Sequence, residues 1–321
     1  MTWIGLSAIS AVLLGFYDVT KKIAVRKNAV PIVLLISVSV GAAIWMPFIC
    51  WSSFSPTSVP HPILKVDSLS FAEHGLLLAK SMLVGASWTF AFFALKRLPL
   101  SIAAPIRSTS PFWTIAMASL FLQERPSGVQ WIGIIIVLLA FWAFSAVSLR
   151  EGVSFKSDRG VAIMVVATIL GALSSIYDKY LLQTVLIAPS TVQAWFSVYL
   201  VPVMVPMAVI WWRSGRKNRD QELSVHALFE WRWAILGISP LLLAADIVYF
   251  TALADPDALV SVISVVRRCS VVIAFLAQSG VRGDHPLRRR AAGVRGVKAG
   301  VVLFSRAESP YLIRHCVFLG L

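Results

Sequence analysis

The run from Ser101 to Arg125, SIAAPIRSTSPFWTIAMASLFLQER, admits few folds. Every residue from Ala103 to Leu122 is uncharged except Arg107. A helix on the surface of a soluble protein shows a polar face, and this stretch has none. Its length suits the hydrocarbon core of a bilayer, which roughly 20 apolar residues cross. An arginine at that depth costs about 2.5–3.5 kcal/mol on insertion scales, so Arg107 is expected to face a bundle interior or a wet cavity. The polar stop Gln123-Glu124-Arg125-Pro126 ends the span.

The rest of the chain is of the same kind. Of 321 residues, 58% are hydrophobic and only 14% charged, too few charges to cover a soluble surface. The apolar runs are long and continuous, unlike the short alternating strands of a β-barrel. Helices satisfy their backbone internally and are the economical solution. Eight further spans fall at about residues 2–24, 30–51, 71–95, 129–149, 160–182, 191–212, 231–253 and 259–277. The start, MTWIGLSAISAVLLGFY, has no basic leader and reads as the first span rather than a removed signal.

An internal echo organises these spans. A shift of 160 residues carries Tyr17-Asp18 onto Tyr177-Asp178, Ile106-Arg107 onto Val266-Arg267, Ser110 onto Ser270, Glu124 onto Asp284 and Pro126 onto Pro286. The same shift fails for Gly41 and Pro47, which fall on Val201 and Met207. One offset joining several helices indicates duplication of a five-helix unit. The expected fold is an all-α membrane protein of about ten transmembrane helices in two five-helix repeats, residues 2–149 and 160–304, with 305–321 a tail. The second repeat is disrupted after about residue 277, so its last helix is degraded. Where a tenth span should stand, the chain has Arg289-Arg290-Ala291-Ala292-Gly293-Val294-Arg295-Gly296-Val297-Lys298. A coding-frame slip near Ala277 would leave such a run, and reading the gene in its other frames tests that idea.

The net charge of +14 lies partly in this tail and partly in short loops, where bases set membrane orientation. Nucleic acid is not an expected partner. The bases favour the odd-numbered loops, which would put those loops in the cytoplasm and the N-terminus outside. Cys50, Cys269 and Cys316 show no paired spacing, so neither a disulfide nor a metal site is expected, and no cofactor. Trp3, Trp45, Trp51, Trp211, Trp212, Trp231 and Trp233 fall near span ends and are expected to be interfacial anchors.

Residues 93–145, FALKRLPLSIAAPIRSTSPFWTIAMASLFLQERPSGVQWIGIIIVLLAFWAFS, resemble an EamA-type domain of the drug/metabolite transporter superfamily. The features are Ala94-Leu95 before the turn, Pro111, the Gln123-Glu124-Arg125 end and Trp131-Ile132-Gly133. The second half is similar through Leu170 to Lys179. The resemblance implies two inverted five-helix repeats and a carrier, not an enzyme, that moves small metabolites such as amino acids without ATP hydrolysis. It implies a multi-pass protein of the cell membrane (the inner membrane if bacterial), monomeric or homodimeric, with the lipid bilayer and a small-molecule substrate as partners.

Such carriers bind substrate near the midplane, where the halves meet. Arg107 and Arg267, at equivalent positions, are candidates for an anionic substrate group, with snorkelling to the interface as the bland alternative. Trp88, Tyr177 and Tyr249 are candidate cavity walls, or packing residues. Asp18, Asp178 and Asp246 are candidates for coupling to protons. For Asp18 and Asp178, pairing with Lys21, Lys22 or Lys179 is the competing structural reading. Asp246, alone midway along an apolar helix, must be protonated or paired, and Lys80 is a candidate partner. Gly171, Pro189, Pro202 and Pro206 are expected to break helices and let the halves rock. An inactive, frame-shifted copy is one alternative. A lipid-acting membrane enzyme is another, but no His/Asp or His/Ser cluster supports it.

Overall fold

The structure is a computed structural model that describes residues 2–25, 28–95, 97–98, 106–107, 109–128, 130–132, 134–136, 139, 159–217 and 230–270. Most of the fifth predicted span, the whole tenth, the tail and the proposed frame slip lie outside these residues. Among the described residues all regular structure is helical, with no strand.

Among the described residues eight α-helices carry the fold: α1 (Trp3–Ala24), α2 (Val30–Phe54), α3 (Phe71–Leu95), α4 (Ser110–Phe121), α5 (Arg159–Lys179), α6 (Pro189–Lys217), α7 (Ala234–Leu253) and α8 (Val260–Arg268). Six, all but α4 and α8, are long and apolar enough to cross a membrane. Local chemistry sets several ends. The Thr2 hydroxyl accepts from Gly5 N at 3.4 Å and caps α1. Ser70 and Glu73 exchange hydrogen bonds in a capping box that starts α3. Pro31 stands in the first turn of α2, where a missing N–H costs nothing.

Two expectations about helix continuity change. The fourth span is not one helix among the described residues: Thr109 is a turn, and α4 starts afresh at Ser110. Pro111 has no N–H to give the Arg107 carbonyl one turn back, which breaks the ladder there. Conversely, Pro202 and Pro206 do not end α6, which runs through both. The irregularity in the second half instead follows α5, as a π-helical turn at Tyr180–Thr184. Of the predicted anchors, Trp3 and Trp45 are buried in the core, whereas Trp51, Trp212, Trp231 and Trp233 are exposed. Position near a span end does not distinguish a lipid-facing side from a packed one.

The helices pair in a reciprocal pattern. α1 packs on α7 and α3 on α5; α2 packs on α6; α3 touches α6 and α2 touches α7. α4 packs on α5, α8 on α1, and α4 and α8 touch each other. At the 160-residue offset α1 matches α5, α2 matches α6 and α3 matches α7, and under that exchange the contacts among these six helices map onto one another or onto themselves.

Small residues allow the close approaches, as expected between helices in lipid. Ser87 donates to Ala167 O at 2.7 Å between α3 and α5, and Ser10 to Ala245 O at 2.7 Å between α1 and α7. Ser239 of α7 donates to the Ser37 carbonyl of α2. A Cβ on Gly171 would meet Ser87 Oγ at 3.4 Å, an ordinary contact, so α5 lies close against α3 there without needing glycine.

Candidate functional site

The reciprocal packing leaves a cavity of about 330 Å³ among α1, α3, α4, α5, α7 and α8. Its walls hold three carboxylates, Asp18, Asp178 and Asp246, and five cations, Lys21, Lys80, Arg107, Arg267 and Arg268. A smaller space of about 170 Å³ adjoins it and shares Trp88, Arg107, Ser110, Ser175 and Arg268. Seven of the eight candidate residues line the larger cavity. Tyr177 does not: its hydroxyl donates to Leu76 O at 3.2 Å, and its ring packs beside Tyr180.

The partners of the carboxylates differ from expectation. Lys80 of α3 pairs with Asp178 of α5 and not with Asp246. Both side chains are almost fully buried, at 2% and 7% exposed. The Lys80 ammonium also sits over the Phe196 and Phe250 rings at 4.5 and 4.9 Å, so aromatic faces replace part of its lost water. Tyr249 donates to the other Asp178 oxygen at 3.3 Å. Asp246 is paired with Arg267 of α8 at 2.6 Å, and that guanidinium stacks on the Tyr249 ring at 4.0 Å. The two ion pairs thus meet at Tyr249. Removing one partner of such a pair leaves a buried charge uncompensated, which is costly.

Asp18 is held differently from its repeat mate Asp178. Position 240, which matches Lys80, is Pro240, so no lysine reaches Asp18 from α7. Its hydrogen-bond partner is Ser270, 3.4 Å away. The expected local pairing does not form among the described residues: Lys21 lies over the Tyr17 ring at 5.3 Å. The charges of Lys21, Arg107 and Arg268 nevertheless all act on the Asp18 carboxylate. Arg107 likewise lacks the carboxylate that serves Arg267, because Ala86 stands where the second half has Asp246. Arg107 is exposed.

Beside the cavity, Glu124 ties three elements together. Its carboxylate accepts from Val260 N at 2.8 Å, and from Ser261 N at 3.1 Å and Ser261 Oγ at 2.5 Å, capping α8. Lys179, at the end of α5, reaches the same carboxylate at 2.7 Å and donates to Ala258 O at 2.7 Å. Lys179 therefore serves Glu124 and not its neighbour Asp178. The backbone turns at Gln123, with φ 52°, to bring Glu124 back. Sequence reading took Glu124 as a span end and missed this role. One signal was available: Leu259 precedes α8 and has no side chain able to cap it, so the free N–H groups needed an acceptor from elsewhere.

Fold and site together define a polytopic helical membrane protein with a charged cavity at its centre. The EamA-like transporter family model, part of the drug/metabolite transporter superfamily, matches residues 1–146. One crystal structure aligns with a TM-score of 0.65 at 14% identity, covering 95% of this chain and 99% of that one; the two share a fold. No curated protein matches.

Proposed function

We propose that this chain is a secondary transporter of small polar metabolites, built as two inverted five-helix repeats that rock about the charged cavity. The observation that carries this reading is the lining: α1, α3 and Arg107 from one half face α5, α7 and α8 from the other across a single space. The reciprocal helix contacts support the inverted repeat, and the α4–α8 contact brings the two arginine-bearing segments to one place. Substrate held by both halves binds one arrangement of them better than another, and that difference is what shifts a carrier between states.

In this reading Arg107, Arg267, Trp88 and Tyr249 contact substrate. Asp246, Asp178 and Asp18 are the groups whose protonation couples uptake to a proton gradient. Glu124 and Lys179 hold one end of the cavity shut by fixing the start of α8. The protein resides in the cell membrane.

Proteoliposomes loaded with the purified chain test this. Uptake of at least one member of a panel of amino acids, sugars, dicarboxylates and phosphate monoesters, enhanced by a pH gradient, is expected. Failure to move any of them under either condition, with the protein folded and inserted, rejects the reading.

A further inference from the structure

We propose that Arg107 and Arg268 form the seat for the charged group of the cargo, and that the cargo is a small dianion: a dicarboxylate or a phosphate monoester. This rests on the transporter reading and adds the substrate class.

Arg267 is held by Asp246 at 2.6 Å and by the Tyr249 face, and it reaches cargo only once that pair opens. Arg268 follows it on the helix and points elsewhere, into both the larger and the smaller cavity, as does Arg107. Among the described residues neither Arg107 nor Arg268 makes a salt bridge. The two are close enough for each charge to act on the other. Like charges set side by side repel. An anion placed between them removes that repulsion, and a guanidinium fork binds carboxylate or phosphate oxygens two at a time.

The charge balance then sets the class of anion. Lys80 is matched by Asp178 and Arg267 by Asp246. Among the described residues Lys21, Arg107 and Arg268 remain, with Asp18 as the one carboxylate against them. The cavity therefore carries two uncompensated positive charges, which one dianion balances. The hydroxyls of Ser110 and Ser175 border the same space and offer further donors, while the Trp88 ring supplies a flat apolar wall for the carbon skeleton. The seat also spans the halves, since Arg107 precedes α4 and Arg268 ends α8. A ligand there bridges the parts that must move.

The test uses the full chain, purified in detergent for binding and reconstituted for transport. The probes are succinate and malonate as dicarboxylates, glycerol 3-phosphate as a phosphate monoester, lactate as a monoanion, alanine as a zwitterion and glucose as a neutral solute. Ligand-induced thermal stabilisation and counterflow are read for each. At least one of the three dianions is expected to bind tenfold or more tighter than lactate, alanine or glucose. The comparison of succinate with glycerol 3-phosphate identifies which anionic group is preferred. Arg107→Ala, at an exposed position, should weaken that dianion roughly tenfold to a hundredfold. Arg107→Lys, which keeps the charge and loses the fork, should recover part of it.

Preference for alanine or glucose over every dianion overturns the proposal while leaving the carrier intact. So does a dianion affinity unchanged in Arg107→Ala. Tight, Arg107-dependent dianion binding without transport of any probe sustains the seat and rejects the carrier reading.

Discussion

The Glu124 carboxylate receives the Lys179 ammonium at 2.7 Å while it caps the first turn of α8. It is 2% exposed, so water cannot replace what it gives. Glu124→Ala leaves a lysine and the N–H groups of Val260 and Ser261 without their acceptor. A loss of about 3–5 kcal/mol is expected, the usual cost of breaking a buried pair from one side. Glu124→Gln keeps one acceptor oxygen for the helix start but loses the charge and turns the other oxygen into a donor, so it should cost less than alanine yet remain clearly destabilising. Unfolding followed in detergent ranks the two variants; equal stability of alanine and wild type would remove Glu124 from the tie.

Lys80 and Asp178 call for a different measurement. Each single change, Lys80→Met or Asp178→Leu, strands its partner among apolar and aromatic side chains. Each should destabilise by roughly 3–5 kcal/mol. The double variant Lys80→Met/Asp178→Leu removes both charges, and buried ion pairs replaced by apolar residues often prove neutral. A double-mutant cycle should therefore show strong coupling, with the double variant more stable than either single one. Additive losses would mean that the two side chains do not depend on each other.

How much of this was legible in the sequence varies with the kind of fact. The spans were: the third falls at Phe71–Leu95 as read, and the first and second begin within a residue of their predicted starts. Continuous apolar composition is a local property, and it survives folding. The 160-residue offset also pointed correctly to one place, since Asp18, Asp178, Arg107 and Arg267 share a cavity. Partner choice was not legible. Lys80 is 98 residues from Asp178, and Glu124 is 136 from Val260. Which carboxylate meets which base depends on α3 lying against α5 and α4 against α8, and no local pattern encodes that. The repeat even misleads here, because Pro240 and Ala86 stand where symmetry would ask for a lysine and an aspartate. Proline at position 111 was noticed, yet its effect on the ladder was not drawn from it.

Gly85 gives a prediction about packing alone. A Cβ there would collide with the Val203 side chain, closer than real Cβ atoms approach, and would meet Met204 Cε at 3.0 Å. Methionine can yield, but valine has little rotamer freedom in a helix. Gly85→Ala should force α3 from α6 and cost about 1–3 kcal/mol. Val203→Ala opens the space, so the double variant Gly85→Ala/Val203→Ala should regain most of the loss. Lack of rescue would locate the strain somewhere other than this contact.

Asp246 bears most directly on coupling. Its carboxylate is joined to Arg267 at 2.6 Å across the junction of α7 and α8. While ionised it holds that guanidinium against the Tyr249 ring; protonated, it loses the charge that holds it. In the proposed transport cycle, loss of that charge loosens α8, the segment that also carries Arg268. Asp246→Asn resembles the protonated form at every pH. The expected result is counterflow that persists, slowed about tenfold or more, with no enhancement by a pH gradient. Removing the arginine as well, in Asp246→Asn/Arg267→Gln, relieves the stranded cation and should recover stability without recovering the pH response. If Asp246→Asn transport stays proton-driven in proteoliposomes, coupling belongs to Asp18 or Asp178 instead. Asp18→Asn is then the variant to measure, because its carboxylate alone among the three has no salt bridge among the described residues.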